Sequence, residues 1–448
     1  MSTATAAAPA QAATGRSERV LWLAWLVIRV AGLALITGVL FYPLVDKDVV
    51  YYHVWALMLQ SGHLPWRPDF EIEYPPGVLP VMLLPGGFPV FELEFVVLAF
   101  VADGVITRTL WRRRPNGAAV WLWVLTPILL GPVVWLRLDI FVALALVGFV
   151  RCLRTGRWRL AGACLGVAAL LKLWPVVLLL VLWRQIPASR RRTVLAATLG
   201  TIAAAVVPVV AWGGEPGLHY MLAYQGGRGL EMETVWAWPA VLAHSVDFSF
   251  PLVPGHGAVE VPLHGALGVA FSLILPAMLA AATAWSWSRT GRARLTPETA
   301  TLLAVAVVLV GSKVLSPQYV VWAVAVVALA LAAVEGPLRP CHRRVAVATG
   351  ALAVTTQVIF PFLLEYVYLG WLRGDLAATA HALAVVIWFA LVLDWVCRGE
   401  TAALPTQLEM SSSRRPEDEG PNKAVTPASA PVTPMPAKPA KNEVEATT

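Results

Sequence analysis

Charge is scarce in this chain. Asp, Glu, Lys and Arg make up 14% of its 448 residues, against 58% hydrophobic residues, a balance that excludes an ordinary soluble domain. Cysteine is scarcer still. Cys152, Cys164, Cys341 and Cys397 show no C-x-x-C spacing, which excludes a disulfide framework and a cysteine-rich metal site. The histidines are scattered without paired ligand spacing, so no metal site is expected. No G-x-x-x-x-G-K-[ST] run is present, which removes the commonest nucleotide-phosphate loop. The net charge of +7 is spread over separate short turns rather than one face, and this argues against nucleic acid as a partner. Residues 1–19 lack the apolar core of a cleavable signal.

Long apolar runs fill residues 20–397, and two kinds of polar gap separate them. One kind is arginine-rich, as at Arg112 to Arg114, Arg151 to Arg159, Arg184 to Arg192, Arg289 to Arg294 and Arg339 to Arg344. The other is acidic and aromatic, at about 45–74 and 213–262. Excess Arg in short loops marks the cytoplasmic side, so the acidic loops face outward. The expected fold is an all-α polytopic membrane protein of about twelve helices, some short or broken, with both termini cytoplasmic. Residues 1–19 read as a disordered leader and 398–448 as a disordered tail, because neither has apolar periodicity. A single span over 160–183 would strand Arg184 and Arg190 to Arg192 outside. The stretch therefore predicts two shorter helices meeting at an outward break, Lys172-Leu173-Trp174-Pro175. Residues 299–334 repeat this logic, with a tip from Gly311 to Gln318.

Nearly every residue able to do chemistry falls on the outward side. Asp48 sits just beyond the first apolar run among aromatics. It can serve as general base on a hydroxyl or as the N-cap of a short interfacial helix ending at Gly62; Asp46 is its rival. Asp69, Glu71 and Glu73, followed by Tyr74-Pro75-Pro76-Gly77, can bind sugar hydroxyls or a cation, or form a solvated turn. Arg137, Lys172, Arg228 and Lys313 are cations at outward tips. Such charges near membrane depth usually line a functional cavity and suit an anionic headgroup; snorkelling is the plainer account of each alone, and Arg137 has Asp139 at hand. The segment Tyr224-Gln225-Gly226-Gly227-Arg228-Gly229-Leu230-Glu231-Met232-Glu233 combines glycines that admit close approach with sugar- and phosphate-binding side chains. Trp66, Trp236 and Trp238 can stack on a sugar or pack in an interfacial belt.

Taken in order, DVVYY, DFEIEYPPG, RLD, KLWP, YQGGRGLEMET and KVLSPQY resemble the actinobacterial membrane glycosyltransferases of family 87, in the GT-C superfamily, similar to mannosyltransferases that use polyprenyl-phosphate-mannose. The resemblance covers about residues 20–397. It implies a GT-C-like fold, a polyprenyl-phosphate-sugar donor, a glycolipid or glycan acceptor outside the cytoplasmic membrane and inversion at the anomeric carbon. It also implies a catalytic acid in the first outward loop, which Asp48 matches. Lys172, Arg228 and Lys313 would then meet the donor phosphate, as would Arg137 at its tip. Asp69, Glu73, Tyr74, Gln225, Glu231 and Gln318 would contact sugar or acceptor. Lys47 beside Asp48, with Asp46 before it, departs from the pattern.

The chemistry agrees with the residues independently. A polyprenyl phosphate is already a good leaving group, so the reaction needs one base and a set of cations for the developing charge, with no cofactor or obligate metal. A secondary transporter or lipid-linked-sugar flippase is the alternative, since broken helices serve transporters too. That alternative places ionisable residues at mid-membrane between related halves, whereas the acids here lie in loops. Mannose and arabinofuranose donors both remain open, as do the acceptor and the oligomeric state.

Overall fold

The computed structural model describes residues 8–34, 47–67, 70, 72–84, 91–112 and 117–399. Asp46, Asp69, Glu71 and the expected tail from residue 400 lie outside these residues. The described chain is helical apart from one small sheet. The first helix (α1, Ala8–Ala34) begins inside the stretch expected as an unstructured leader; its alanines carry the highest helix propensity. The next helix (α2, Lys47–Gln60) lies within the first expected outward loop and closes at Gly62, whose φ of 89° only glycine adopts freely. Asp48 falls in the first turn of this helix rather than at its cap, because the helix already includes Lys47.

Two apolar helices, Pro297–Gly311 and Val320–Ala332, are buried on nearly every side and form the centre of the molecule. A helix hydrophobic all round belongs inside a bundle. Thr296 and Thr299 form a reciprocal cap at the start of the first, with Pro297 just inside it. Around this pair, four helices are long and apolar enough to cross a membrane: Ala188–Ala211, Gly265–Trp287, Pro340–Tyr368 and Leu372–Arg398. Shorter apolar helices cover Gly117–Leu130, Trp158–Leu171, Pro297–Gly311 and Pro317–Ala332. Helices Ala188–Ala211 and Gly265–Trp287 leave most of their apolar surface uncovered, at 17% and 11% buried. That surface is costly in water and matched in lipid, so the chain is a membrane protein.

Proline breaks the apolar runs at several points; the break within 117–136 was not expected, and those within 160–183 and 299–334 were. The stretch 117–136 is three pieces, Gly117–Val124, Thr126–Leu130 and a 3-10 turn at Pro132–Val134, because Pro127 and Gly131-Pro132 interrupt it. The stretch 160–183 is two helices, Trp158–Leu171 and Leu178–Leu182, with Lys172 in extended conformation (φ −155°, ψ 133°) and a 3-10 turn at Trp174–Val177 between them. The second broken stretch has the same design. Ser312 is extended after Gly311, and Pro317 opens a 3-10 turn into Val320–Ala332.

Helix Trp158–Leu171 seats tightly on Ala188–Ala211 through Gly162-x-x-x-Gly166. A Cβ on Gly162 would come within 2.4 Å of the Val194 carbonyl oxygen, and one on Gly166 within 2.7 Å of Thr201 Cβ. This is the small-residue packing that replaces the hydrophobic drive between membrane helices. The second expected outward loop, 213–262, is largely ordered. It holds helices Glu215–Gly227 and Trp238–Val246 and an antiparallel sheet of β1 (Leu230–Glu231), β2 (Val253–Gly255) and β3 (Ala258–Val261) in the order β1-β3-β2. Its register sets Glu231 opposite Glu260.

Candidate active site

The two helix breaks, the first loop and the small sheet converge on one cavity of about 540 Å³. It collects Asp48 from the start of α2, Glu73 and Tyr74 from the segment before Pro75-Pro76-Gly77, and Lys172 and Trp174 from the first break. Gln225, Arg228 and Glu231 come from the glycine-rich segment, and Lys313, Ser316, Gln318, Tyr319 and Trp322 from the second break. Gly77 permits this meeting: a Cβ there would sit 2.5 Å from Leu170 Cβ, so only glycine lets the Pro-Pro-Gly turn close on the helix that ends at Lys172. Of the residues expected at a site, Arg137 does not line the cavity, and Asp69 lies outside the described residues.

Each charge in the cavity has a different company. Asp48, whose side chain is 30% exposed, is paired from behind by Arg137 at 2.8 Å. Lys172 is held by Asp139 at 3.1 Å and lies over the rings of Tyr319, Trp322 and Tyr74 at 4.1, 5.2 and 5.7 Å, an aromatic cage for its ammonium. The adjacency Arg137-Leu138-Asp139 suggested an internal pair. The structure instead sends Arg137 to Asp48 and Asp139 to Lys172.

Arg228 is pinned by Glu260 at 3.1 Å and by Glu231 at 3.7 Å. The β1–β3 register sets these two carboxylates opposite each other, and the guanidinium between them offsets a like-charge pair that would otherwise destabilise the sheet. Glu260 also accepts from the Gly229 amide at 2.9 Å and faces His256 at 3.1 Å. The Ser316 hydroxyl donates to Glu231 at 2.7 Å. Lys313 differs from the other cations. Its ammonium donates to the carbonyl oxygens of Gly226 and Arg228 at 3.1 and 2.9 Å, and among the described residues it has no carboxylate in ion-pair range.

Burial pushes the Glu73 carboxyl above its ordinary range; a hydrogen bond from Tyr224 opposes the shift and the charge of Asp48 adds to it. Burial likewise raises Tyr224 and Glu231, the latter against the pull of Arg228. One flank of the cavity is apolar: Leu173, Val176, Val177, Phe271, Leu275 and Pro276. Leu173 and Val176 are 40% and 42% exposed, so this flank reaches the surface that helix Gly265–Trp287 leaves uncovered. Among the described residues no three His, Cys, Asp or Glu side chains converge as metal ligands.

Glu260, Ser316, Tyr319 and Trp322 were not singled out by sequence reasoning. Tyr319 and Trp322 had a usable signal, since they follow Lys313 on the turn that Pro317 opens and in the first turn of the helix after it. Glu260 had none, because only the strand register brings it to Arg228.

Apolar helices broken around a charged cavity, with an apolar flank open to the membrane side, describe a membrane protein built around an amphiphilic binding site. Residues 73–317, more than half of the chain, match the model of glycosyltransferase family 87, and the chain belongs to that family. It is thus a membrane glycosyltransferase, and family membership decides against the transporter or flippase alternative. No curated protein matches the chain. The matched stretch takes in Glu73, Arg137, Lys172, Arg228 and Lys313 and leaves Asp48 outside, so any role for Asp48 rests on geometry.

Proposed function

We propose that the protein transfers a sugar, mannose in this reading, from a polyprenyl-phosphate donor to a hydroxyl of a cell-envelope glycolipid or glycan, with inversion, on the outer side of the cytoplasmic membrane. The observation that carries this reading is the asymmetry of the cavity. A carboxylate, Asp48, and an ammonium, Lys313, without a carboxylate partner among the described residues, share one space with an apolar flank exposed to the membrane side. The flank suits an isoprenoid chain and Lys313 suits its phosphate. Lys172 and Arg228 add positive potential from positions already balanced by acids. Asp48 accepts the proton of the acceptor hydroxyl as its oxygen bonds to the anomeric carbon. The bond from that carbon to the phosphate oxygen breaks, and its electron pair leaves on the phosphate. Gln225, Glu231, Glu73, Tyr74 and Gln318 supply polar contacts for sugar or acceptor hydroxyls, with Asp69 as a further candidate. In this reading the arginine-rich turns stay in the cytoplasm with both termini, and the chain makes about twelve membrane passages, several of them short or broken.

The test is transfer of radiolabel from polyprenyl-phosphate-mannose, compared with polyprenyl-phosphate-arabinofuranose and GDP-mannose, into lipid extracts of membranes with and without the protein. Protein-dependent incorporation from the lipid-linked mannose alone supports the reading. Incorporation only from the arabinose donor corrects the sugar, and incorporation only from the nucleotide donor overturns the donor class and the outward site.

A further inference from the structure

The tripeptide Arg137-Leu138-Asp139 sits behind the cavity wall. The Arg137 and Asp139 side chains are 5% and 1% exposed, and neither lines the cavity. Their partners, Asp48 and Lys172, do line it. Among the described residues, the tripeptide reaches the site through those partners. Its own footing is firm. Residues 130–140 are all buried, and the Trp135 indole N–H, two residues upstream, donates at 3.1 Å to Asp103. Asp103 in turn holds Arg29 of α1 at 2.8 Å. The Arg137 guanidinium also donates to the Leu136 carbonyl at 3.1 Å, which limits how far it can swing toward the cavity.

A phosphate-binding arginine must present its fork to the ligand; this one sets its Nε against a carboxylate and an Nη against a backbone carbonyl. We propose that Arg137-Leu138-Asp139 is a positioning element rather than a ligand-binding one: Arg137 holds the Asp48 carboxylate aimed into the cavity, and Asp139 holds the Lys172 ammonium against its aromatic cage. The proposal rests on Asp48 being the base of the transfer reaction. Two charges of opposite sign, 33 positions apart at Asp139 and Lys172 and farther at Arg137 and Asp48, are thus set by one rigid turn. A displacement of the turn would misplace both together. Glu73, Asp139, Tyr52 and Tyr74 also stand in the electrostatic surroundings of Asp48, but among the described residues Arg137 is the cation in ion-pair contact with it.

The test is a double-mutant cycle in the full-length protein, read by transfer and by binding of a short-chain polyprenyl phosphate. Alone, Arg137→Gln is expected to lower kcat by about 10–100-fold with donor KM little changed, and Arg137→Lys to recover part of the loss. In an Asp48→Asn background, Arg137→Gln should cost no further activity beyond about threefold, because its partner's function is already gone. Polyprenyl-phosphate affinity should be equal in Asp48→Asn with and without the second change. The double variant, which removes both charges of the pair, keeps the comparison interpretable if Arg137→Gln alone folds poorly. Multiplicative losses, or weaker polyprenyl-phosphate binding in the double variant, would overturn the proposal and return Arg137 to the phosphate. Full activity of Asp48→Asn alone is a separate outcome. It would refute the base assignment, and with the cycle's shared step removed, the positioning role for Arg137 as well.

Discussion

Two Asp–Arg pairs in this molecule have the same contact distance and opposite meanings. Asp103 meets Arg29 at 2.8 Å, and Asp48 meets Arg137 at 2.8 Å. Asp103 is wholly buried and accepts besides from the indoles of Trp25, Trp123 and Trp135 at 3.2, 2.9 and 3.1 Å and from Thr107 at 3.3 Å. Arg29 also makes a second contact to Asp103 at 3.0 Å and donates to the Val124 carbonyl at 2.7 Å. A carboxylate has about four lone-pair sites, and those of Asp103 are filled by its own protein. Asp48 has one guanidinium behind it and a face turned to the cavity. Ionisable residues at membrane depth are functional suspects by default. Saturation separates the cases: a carboxylate with every site filled holds helices together, and one with a face left over can take a proton.

Breaking each pair on the acid side sharpens that difference. The largest effect is expected from Asp48→Asn, which keeps the shape and removes the base. Transfer should fall by about 10²–10⁴-fold while the protein reaches the membrane at normal abundance, measured by radiolabel incorporation beside an immunoblot. Near-normal transfer would end the assignment of Asp48. Asp103→Asn should do the reverse. Removing one partner of a buried pair costs about 3–5 kcal/mol, so abundance and thermal stability in detergent should drop while transfer per folded molecule persists. A stable Asp103→Asn protein that has lost transfer would mean the second pair is also functional, and the distinction by saturation would fail.

The contrast also shows what a sequence can carry. The breaks at Lys172-Leu173-Trp174-Pro175 and at 311–318 were legible because proline and charge inside apolar runs have few physical outcomes, and the positive-inside rule forbade the unbroken alternative. The cavity lies where those breaks meet. The partners of the charges were not legible. Arg137 and Asp139 are two residues apart, which invited a local pair, but at the start of a helix their side chains diverge, one to the first turn of α2 far upstream and the other to the next break. Glu260 becomes a neighbour of Arg228 only through the strand register. Arg29 and Asp103 stand inside apolar runs, where the cost of charge in lipid is itself a signal, yet no spacing links a residue on α1 to one 74 positions later.

The same logic of saturation ranks the cavity's cations. Lys172 and Arg228 already serve carboxylates, while Lys313 donates only to backbone carbonyls among the described residues. Lys313→Met should therefore raise donor KM by about 10–100-fold, the worth of one hydrogen bond to a charged group, with a smaller change in acceptor KM. An equal rise in both would mean that Lys313 shapes the loop around Gly226 rather than meeting the phosphate.

The smallest expected effect belongs to Glu73, which lies between the two extremes. It is half-buried, receives a hydrogen bond from Tyr224 and feels the charge of Asp48. Burial raises its carboxyl above the ordinary value of 4.5. The folded state therefore binds the proton more tightly than the unfolded chain. The resulting stability is fully present below 4.5 and is lost as pH rises through the raised folded value. Glu73→Gln is a permanent mimic of the protonated form. Its thermal stability should match that of the unsubstituted protein at acid pH and exceed it slightly toward neutral pH, as read by detergent melting curves taken from acid to neutral pH. If the two curves stay parallel throughout, Glu73 titrates like a solvated loop carboxylate. The cavity would then be wetter on its Glu73 side than the burial of that side chain implies.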